Sequence, residues 1–206
     1  IGAALVEPGQ DILLATRSGM AVRFGESDVR SMGRVSTGVK GLQLRDEDLV
    51  VDMVVIGDDP ASLMTLCENG YGKRTPSAEY PRIRRGGKGV IDIKTTDRNG
   101  PVVSSKLVSD DNEIMIVTQN GIMIRLPVES ISQIGRNTQG VRVINVDDED
   151  RVIDMTSVVA EDEEVIEDAK AAENGEVDSD GSPDAAPSDA AEGPDNGQVD
   201  SDEEGA

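Results

Sequence analysis

Short apolar runs separated by turn residues recur along the chain as far as about residue 159. Runs of strand length lie at 12–16, 63–67 and 114–118, and each is followed two residues later by Ser-Gly or Asn-Gly. Asn-Gly between two strand-like runs is typical of a hairpin closed by a type I′ turn. The pattern therefore predicts β-hairpins, with a helical turn or two only at 128–134.

The runs repeat at an interval of 51 residues, and glycine and arginine positions repeat with them. A fixed period of this size indicates stacked copies of one supersecondary unit. Each copy predicts a hairpin, a polar segment, a third strand starting at Val39, Val90 or Val141, and a fourth strand, which is typical of a propeller-like blade. The repeated positions are Gly19, Gly70 and Gly121; Gly38, Gly89 and Gly140; and Arg34, Arg85 and Arg136.

The predicted fold is therefore all-β, built from four-stranded antiparallel blades. Since three blades do not close a ring, we expect an open blade face. The chain begins at Ile1 with a sequence that matches the end of a repeat, which predicts a piece of a longer polypeptide. The expected segments are the end of a preceding blade at 1–10, blades at 11–59, 60–110 and 111–159, and a tail at 160–206.

Charge separates that tail from the blades. Residues 160–206 carry 18 acidic residues and one lysine, a net charge of −17, whereas residues 1–159 have a net charge of −4. A segment so acidic and so poor in apolar residues cannot bury enough surface to order its backbone, so we expect a disordered acidic tail. It either only solubilises the protein or competes with DNA for a basic surface.

Composition excludes several kinds of chemistry. The single cysteine, Cys67, excludes an intramolecular disulfide, and the sequence contains no histidine to act as a base or a metal ligand. No apolar run approaches the roughly 20 residues that span a bilayer. We expect no metal site, no catalytic residue and no membrane partner, and interpret Tyr71 and Tyr80 as packing residues.

Positive charge is concentrated between Lys73 and Arg98, where the net charge is +5. Cations and glycine N–H groups in one loop suit contacts with DNA phosphates, and no feature of the loop reads bases. The alternative is a basic turn that only solvates a blade edge. The candidate DNA-binding residues are Arg34, Lys73, Arg74, Arg82, Arg84, Arg85, Gly86, Gly87, Lys88, Gly89, Arg125 and Arg136.

The glycine motifs at 33–39, 84–90 and 135–141, one in each repeat, resemble the C-terminal domain of the DNA gyrase A subunit. That family's domain is a β-pinwheel, normally of six blades, with a Gln-(Arg/Lys)-Arg-Gly-Gly-(Arg/Lys)-Gly box that is needed to wrap DNA. Residues 83–89 match the box at six of seven positions, with Ile83 in place of Gln. We interpret them as a box-like loop of a later blade.

The resemblance implies the DNA-wrapping part of a type II topoisomerase that introduces negative supercoils with an ATP-hydrolysing B subunit. The implied partners are double-stranded DNA, the N-terminal part of the same polypeptide, and the gyrase B subunit in an A2B2 heterotetramer. ATP and Mg²⁺ are implied for the holoenzyme and no cofactor for this chain. Because the family's DNA-cleaving tyrosine belongs to an N-terminal domain, we expect this chain alone to be non-catalytic. The implied location is the cytoplasm, with the nucleoid.

The sequence is also compatible with two other functions. The C-terminal domain of the topoisomerase IV A-type subunit has fewer blades and lacks a well-kept box, so residues 84–89 favour gyrase. A non-catalytic protein-binding propeller would need exposed aromatic or aliphatic hot spots. The aromatic residues of the whole chain are Phe24, Tyr71 and Tyr80.

Overall fold

The computed structural model describes residues 2–159, which form three small antiparallel sheets. The acidic tail at 160–206, and with it the prediction of disorder, lies outside the described residues. The strands are β1 (Asp11–Thr16), β2 (Met20–Gly25), β3 (Val50–Ile56), β4 (Ser62–Cys67), β5 (Tyr71–Pro76), β6 (Val90–Ile91), β7 (Val102–Val108), β8 (Asn112–Thr118), β9 (Met123–Pro127), β10 (Val141–Arg142) and β11 (Val152–Val159).

The sheets have the strand orders β3-β1-β2-β6, β10-β5-β4-β7 and β11-β8-β9. β3 packs against β7, and β7 packs against β11, so one edge of each sheet converges on those of its neighbours. β6 and β10 therefore lie on the opposite, outer edge of the first two sheets. The all-β prediction of four-stranded blades is confirmed for these two sheets, and the third has three strands within residues 2–159.

The third strands of the second and third repeats, β6 and β10, join the sheet of the preceding repeat. β6 pairs with β2 through Ala21 and Val90, and β10 pairs with β5 through Gly72 and Val141. The third strands predicted to start at Val90 and Val141 therefore form, but neither joins the blade of its own repeat. The strand expected at Val39 does not form, because residues 2–159 contain no sheet before β1 for it to join.

The hairpin turns differ from the predicted type I′ geometry. Gly19, Gly70 and Gly121 have φ of 78, 78 and 84°, but Asn69 and Asn120 are not left-handed. Each glycine N–H instead donates to the carbonyl three residues earlier, at 3.0 to 3.1 Å, as in a type I turn followed by a left-handed glycine. The loops between β1 and β2 and between β4 and β5 each have three residues. A Cβ on Gly19 would lie 2.1 Å from the Ile93 oxygen of the next repeat, which explains the glycine.

Aliphatic side chains fill the spaces between consecutive sheets. Tyr71 and Tyr80 are buried, with 7% and 2% of their surfaces exposed, as expected for packing residues. Short 3-10 turns at 26–28, 77–79 and 128–130 follow β2, β5 and β9, so the predicted helical turn recurs in all three repeats. Within residues 2–159 no helix is long and apolar enough to cross a membrane. The core between the first two sheets contains Leu13, Ala15, Ala21, Val54, Ile56, Leu63 and Tyr80.

Candidate nucleic-acid interface

The box-like loop, residues 83–89, lies at the outer edge of the first sheet. The Ile83 N–H donates to the Arg23 oxygen at 2.8 Å, and β6 resumes pairing with β2 directly after the loop. Between these two attachments, the Gly86 N–H donates to the Gly41 oxygen at 2.5 Å, and the Gly87 oxygen accepts from the Gln43 N–H at 2.8 Å. The loop is therefore seated on a segment of the preceding repeat.

Two glycines of the loop have left-handed backbones. Gly86 and Gly89 have φ of 79 and 77°. A Cβ on Gly89 would lie 2.4 Å from the Ala21 oxygen, and one on Gly140 would lie 2.7 Å from the Gly72 oxygen. The repeated glycine is thus required by close packing of the protein's own backbone. The prediction that Gly86, Gly87 and Gly89 also approach DNA remains a prediction.

The cations of the box-like loop are not equivalent. Arg84 and Lys88 are exposed, and neither forms a salt bridge among the described residues. Arg82 is half-exposed and its Nε lies 3.2 Å from Asp11 Oδ1. Arg85 is partly buried, and its Nε donates to the Asp28 oxygen at 2.8 Å. Arg84 and Lys88 are therefore the cations best placed to meet a phosphate.

The remaining surface candidates are spread over the other repeats. Arg34 is exposed in the first glycine motif. The Arg125 side chain is 54% exposed on β9 and pairs with Glu113. Arg136 is partly buried, since its guanidinium lies 5.9 Å from the ring centre of Tyr80. A role in DNA binding remains a prediction for all three arginines.

The prediction that Lys73 and Arg74 lie on the binding surface is wrong. The Lys73 side chain is fully buried, and Arg74 is 8% exposed. Arg74 Nε donates to the Ile131 oxygen at 2.6 Å, and its guanidinium also pairs with Asp110. Both side chains use their donors within the protein. As neighbours on β5 they point to opposite faces of the second sheet, and both are buried.

Lys73 belongs to a buried polar cluster with Thr65, Tyr80 and Asp92. Its Nζ lies 4.0 Å from Asp92 Oδ1, and Asp92 accepts hydrogen bonds from Thr65 Oγ1 at 2.8 Å and from the Tyr80 hydroxyl at 2.6 Å. Burial lowers the pKa of Lys73 to about 8. Burial likewise raises the pKa of the Asp92 carboxyl, and burial beside that carboxylate raises the pKa of the Tyr80 hydroxyl.

Cys67 lies beside this cluster and has no features of a reactive thiol. It is fully buried, and burial raises its pKa to about 12. A thiolate, the nucleophilic form, is therefore negligible at neutral pH.

Two cations near the outer strands, Lys40 and Arg142, were not among the residues predicted to bind DNA. Lys40 and Arg142 are exposed and are equivalent to Ile91 of β6 in the repeat. Arg142 also donates from Nη2 to the Tyr71 hydroxyl at 2.8 Å. The 51-residue period contains the signal that could have identified them, because it aligns both residues with a strand position beside the box-like loop. They extend the set of exposed cations beyond Arg84 and Lys88.

All three repeats match one known protein family. A family model described as DNA gyrase C-terminal domain, beta-propeller, matches residues 10–56, 61–109 and 112–158. The chain belongs to this family. The three matched segments correspond to the three repeats, and the second contains the box-like loop.

Curated relatives support the same assignment. The DNA gyrase A subunit of Haloquadratum walsbyi is 44% identical over 153 residues, which cover 74% of this chain and 18% of that protein. The DNA gyrase A subunit of Escherichia coli is 44% identical over 158 residues, covering 77% of this chain and 18% of the relative. The chain therefore spans about a fifth of the length of these relatives.

Solved structures show the fold independently. A DNA gyrase A C-terminal domain is similar with a TM-score of 0.68 at 28% identity, over 73% of this chain and 51% of the other. The C-terminal domain of DNA topoisomerase IV gives a TM-score of 0.70 at 24% identity, over 81% of this chain and 52% of the other. At that identity the second match shows a shared fold alone.

Proposed function

We propose that this chain is the DNA-binding and DNA-wrapping part of a DNA gyrase A subunit. The observation that carries the proposal is the placement of Arg84 and Lys88, two exposed cations in a glycine loop at the outer edge of the first sheet. Lys40 and Arg142 add positive charge at the equivalent outer position of other repeats. Cations that neutralise phosphates release condensed counterions, which gives sequence-independent affinity for a duplex.

Wrapping follows from the arrangement of the sheets. Their inner edges converge through β3, β7 and β11, so the outer edges face outward in succession. A duplex held through its phosphates along these edges has to bend, at a cost of a few kcal/mol for a tight bend. Additional phosphate contacts offset that cost, and no base contact is required.

The activity of the whole protein belongs to the same proposal. The A subunit would act with an ATP-hydrolysing B subunit in an A2B2 heterotetramer that introduces negative supercoils in the cytoplasm, at the nucleoid. ATP and Mg²⁺ would bind elsewhere in that assembly. This chain would present wrapped DNA to a separate cleavage domain, and it would have no catalytic activity alone.

A role in topoisomerase IV is the nearest alternative, and the similarity to a topoisomerase IV domain is the observation in its favour. Residues 84–89 retain the Arg-Arg-Gly-Gly-Lys-Gly sequence that the gyrase family uses, which makes gyrase the better proposal. Supercoiling of relaxed plasmid by the whole A subunit with a B subunit distinguishes them. Net negative supercoiling supports gyrase, and relaxation or decatenation alone supports topoisomerase IV.

The contribution of the box-like loop is tested by the salt dependence of DNA affinity. We would titrate the full chain on a duplex of about 100 base pairs and compare it with an Arg84→Ala/Lys88→Ala variant. If each cation neutralises one phosphate, the slope of log affinity against log salt should fall by about 2 in magnitude. An Arg17→Ala/Arg45→Ala variant removes two exposed cations near the acidic turn 46–48 and is the matched control. Equal slopes for wild type and the loop variant would contradict the proposal.

A further inference from the structure

Four buried polar residues of the second repeat occupy positions that are apolar in the third. The residues 51 positions after Thr65, Lys73, Tyr80 and Asp92 are Ile116, Ile124, Ile131 and Val143. These four aliphatic residues pack in the core between the second and third sheets. The fold therefore tolerates an apolar set at these positions, and the polar set has another cause.

A buried charged cluster is a poor way to stabilise a protein. Removing an ammonium and a carboxylate from water is costly, and well-packed hydrophobic residues at the same positions are often as stable or more stable. Lys73 is fully buried, and Asp92 is 1% exposed. We therefore look for the role of the cluster in the backbone positions that its hydrogen bonds fix.

That geometry joins two successive glycine loops. Lys73 Nζ donates to the Gly135 and Arg136 oxygens of the third repeat, at 2.8 and 2.7 Å. It also donates to the Asp92 oxygen at 2.6 Å, immediately after β6 of the second repeat. The Arg136 oxygen in turn accepts from the Thr138 N–H at 2.9 Å. One ammonium thus holds the start of the third loop against the end of the second.

The box-like loop has no such anchor where it meets the first repeat. The position equivalent to Lys73 in the first repeat is Val22, and the residues equivalent to Gly135 and Arg136 are Arg84 and Arg85. Val22 is buried among Phe24 and Leu42 and cannot donate a hydrogen bond. The ammonium is therefore specific to the junction between the second and third repeats.

We propose that Lys73 is a positioning residue that fixes the turn at 135–136 against β6 and so sets the course of DNA from the second repeat to the third. The inference rests on the proposed function for its DNA component. Lys73 does not contact DNA, because its side chain is fully buried. It acts through Arg136 and the backbone around it, which lie at the outer edge beside Ile91.

The test replaces the polar cluster with the set that the chain already uses 51 residues later. The full chain carrying Thr65→Ile, Lys73→Ile, Tyr80→Ile and Asp92→Val should fold, because the same residues pack in the third repeat. We expect amide exchange at Thr138, whose N–H binds the Arg136 oxygen, to become at least 10-fold faster. We also expect less energy transfer between dyes at the two ends of a bound duplex of about 100 base pairs, because the ends come less close together. A duplex of this length is shorter than the persistence length of about 150 base pairs, so it does not bend strongly by itself.

Two comparisons separate positioning from contact and from folding. The salt slope of DNA affinity should fall by less than in the Arg84→Ala/Lys88→Ala variant, since none of the four side chains is exposed to contact a phosphate. The Arg84→Ala/Lys88→Ala variant should show the reverse, a smaller slope with unchanged exchange at Thr138. Unchanged exchange or unchanged DNA end-to-end distance in the fourfold variant would overturn the inference. If wild type itself does not bring the duplex ends together, the proposed wrapping function fails, which is a different result.

Discussion

Arg85 and Arg136 make the same contact in successive repeats. Each donates from Nη1 at 3.1 Å to the carbonyl oxygen of the residue 45 positions earlier, which is Lys40 for Arg85 and Ile91 for Arg136. The recurrence of arginine at this position therefore has a structural cause, because the side chain ties a glycine loop to the preceding repeat. Arginine suits this role, since its planar guanidinium presents several donors in fixed directions.

This contact predicts different roles for adjacent arginines. Arg85→Ala removes donors to the Asp28 and Lys40 oxygens and should lower the free energy of unfolding by about 1 kcal/mol. Arg84→Ala should change it by less than about 0.5 kcal/mol, because Arg84 is exposed. Urea denaturation of the full chain measures both. On DNA, Arg84→Ala should reduce the salt slope by about 1.

The opposite assignment would be visible in the same data. If Arg84→Ala destabilised the fold and Arg85→Ala affected only the salt slope, Arg85 would be the phosphate contact. Its hydrogen bonds to the preceding repeat would then contribute little to stability.

Alanine substitutions at two equivalent glycines of the repeat should destabilise the fold to different extents. Gly38 and Gly89 both have left-handed backbones, with φ of 82 and 77°. A Cβ on Gly38 meets nothing within 4 Å, whereas one on Gly89 would lie 2.4 Å from the Ala21 oxygen. Gly38→Ala should therefore cost about 1 kcal/mol of backbone strain. Gly89→Ala should cost several times more, because β2 and the loop have to separate.

Denaturant midpoints of the two alanine variants give the comparison directly. Equal destabilisation would mean that the loop adjusts around a side chain at residue 89, and that the close approach to β2 is not what requires glycine there.

The sequence was sufficient to predict the blades, but it did not predict that successive blades exchange strands. Turn glycines and apolar runs identified the hairpins, because both depend on neighbouring residues. The partner of Val90 was not evident, since a two-residue strand has the same pattern whether it joins its own sheet or the preceding one. The reason for Gly89 is likewise a contact with Ala21, a residue 68 positions away in the preceding repeat.

The candidate site was predicted in part for a similar reason. Arg84 and Lys88 were identified from local charge and are exposed. Lys73 was assigned to the same surface, because a lysine in a basic segment usually faces solvent. Its burial had one sequence signal, namely the apolar residues Val22 and Ile124 at the equivalent positions. Comparison of the repeats with each other was therefore more informative here than summed charge.

Burial of Lys73 predicts a pH dependence of stability. Its pKa is lowered to about 8, so the folded chain releases this proton at a pH where an unfolded lysine, with a pKa of about 10.4, retains it. The free energy of unfolding contributed by Lys73 should therefore rise between pH 8 and pH 10, by about 2 kcal/mol. The charged groups nearest to Lys73 are Asp92, Glu79 and Arg136, which do not titrate in that window in the unfolded chain.

Cys67 acts in the opposite sense over the same window. Its pKa is raised to about 12, so the folded chain keeps a proton that an unfolded cysteine loses near pH 8.5. Stability should therefore fall by about 2 kcal/mol between pH 8 and pH 10 through this group. The two effects oppose each other in wild type. Urea denaturation of a Cys67→Ala variant should reveal the rise that Lys73 produces, and adding Lys73→Ile should remove it. A flat profile in Cys67→Ala would mean that the carbonyl contacts keep the Lys73 ammonium charged.

The acidic tail should have a measurable effect on DNA binding. Its 18 carboxylates are tethered to a chain with exposed outer cations, so they would compete with phosphates at an effective concentration of up to about mM. Deletion of residues 160–206 should then tighten DNA binding, and more strongly at low salt, because screening weakens both competitors. A tail of the same length with every Asp and Glu changed to Asn and Gln is the matched control and should behave like the deletion. Equal affinities of the intact and deleted chains at low ionic strength would leave the tail a solubilising role only.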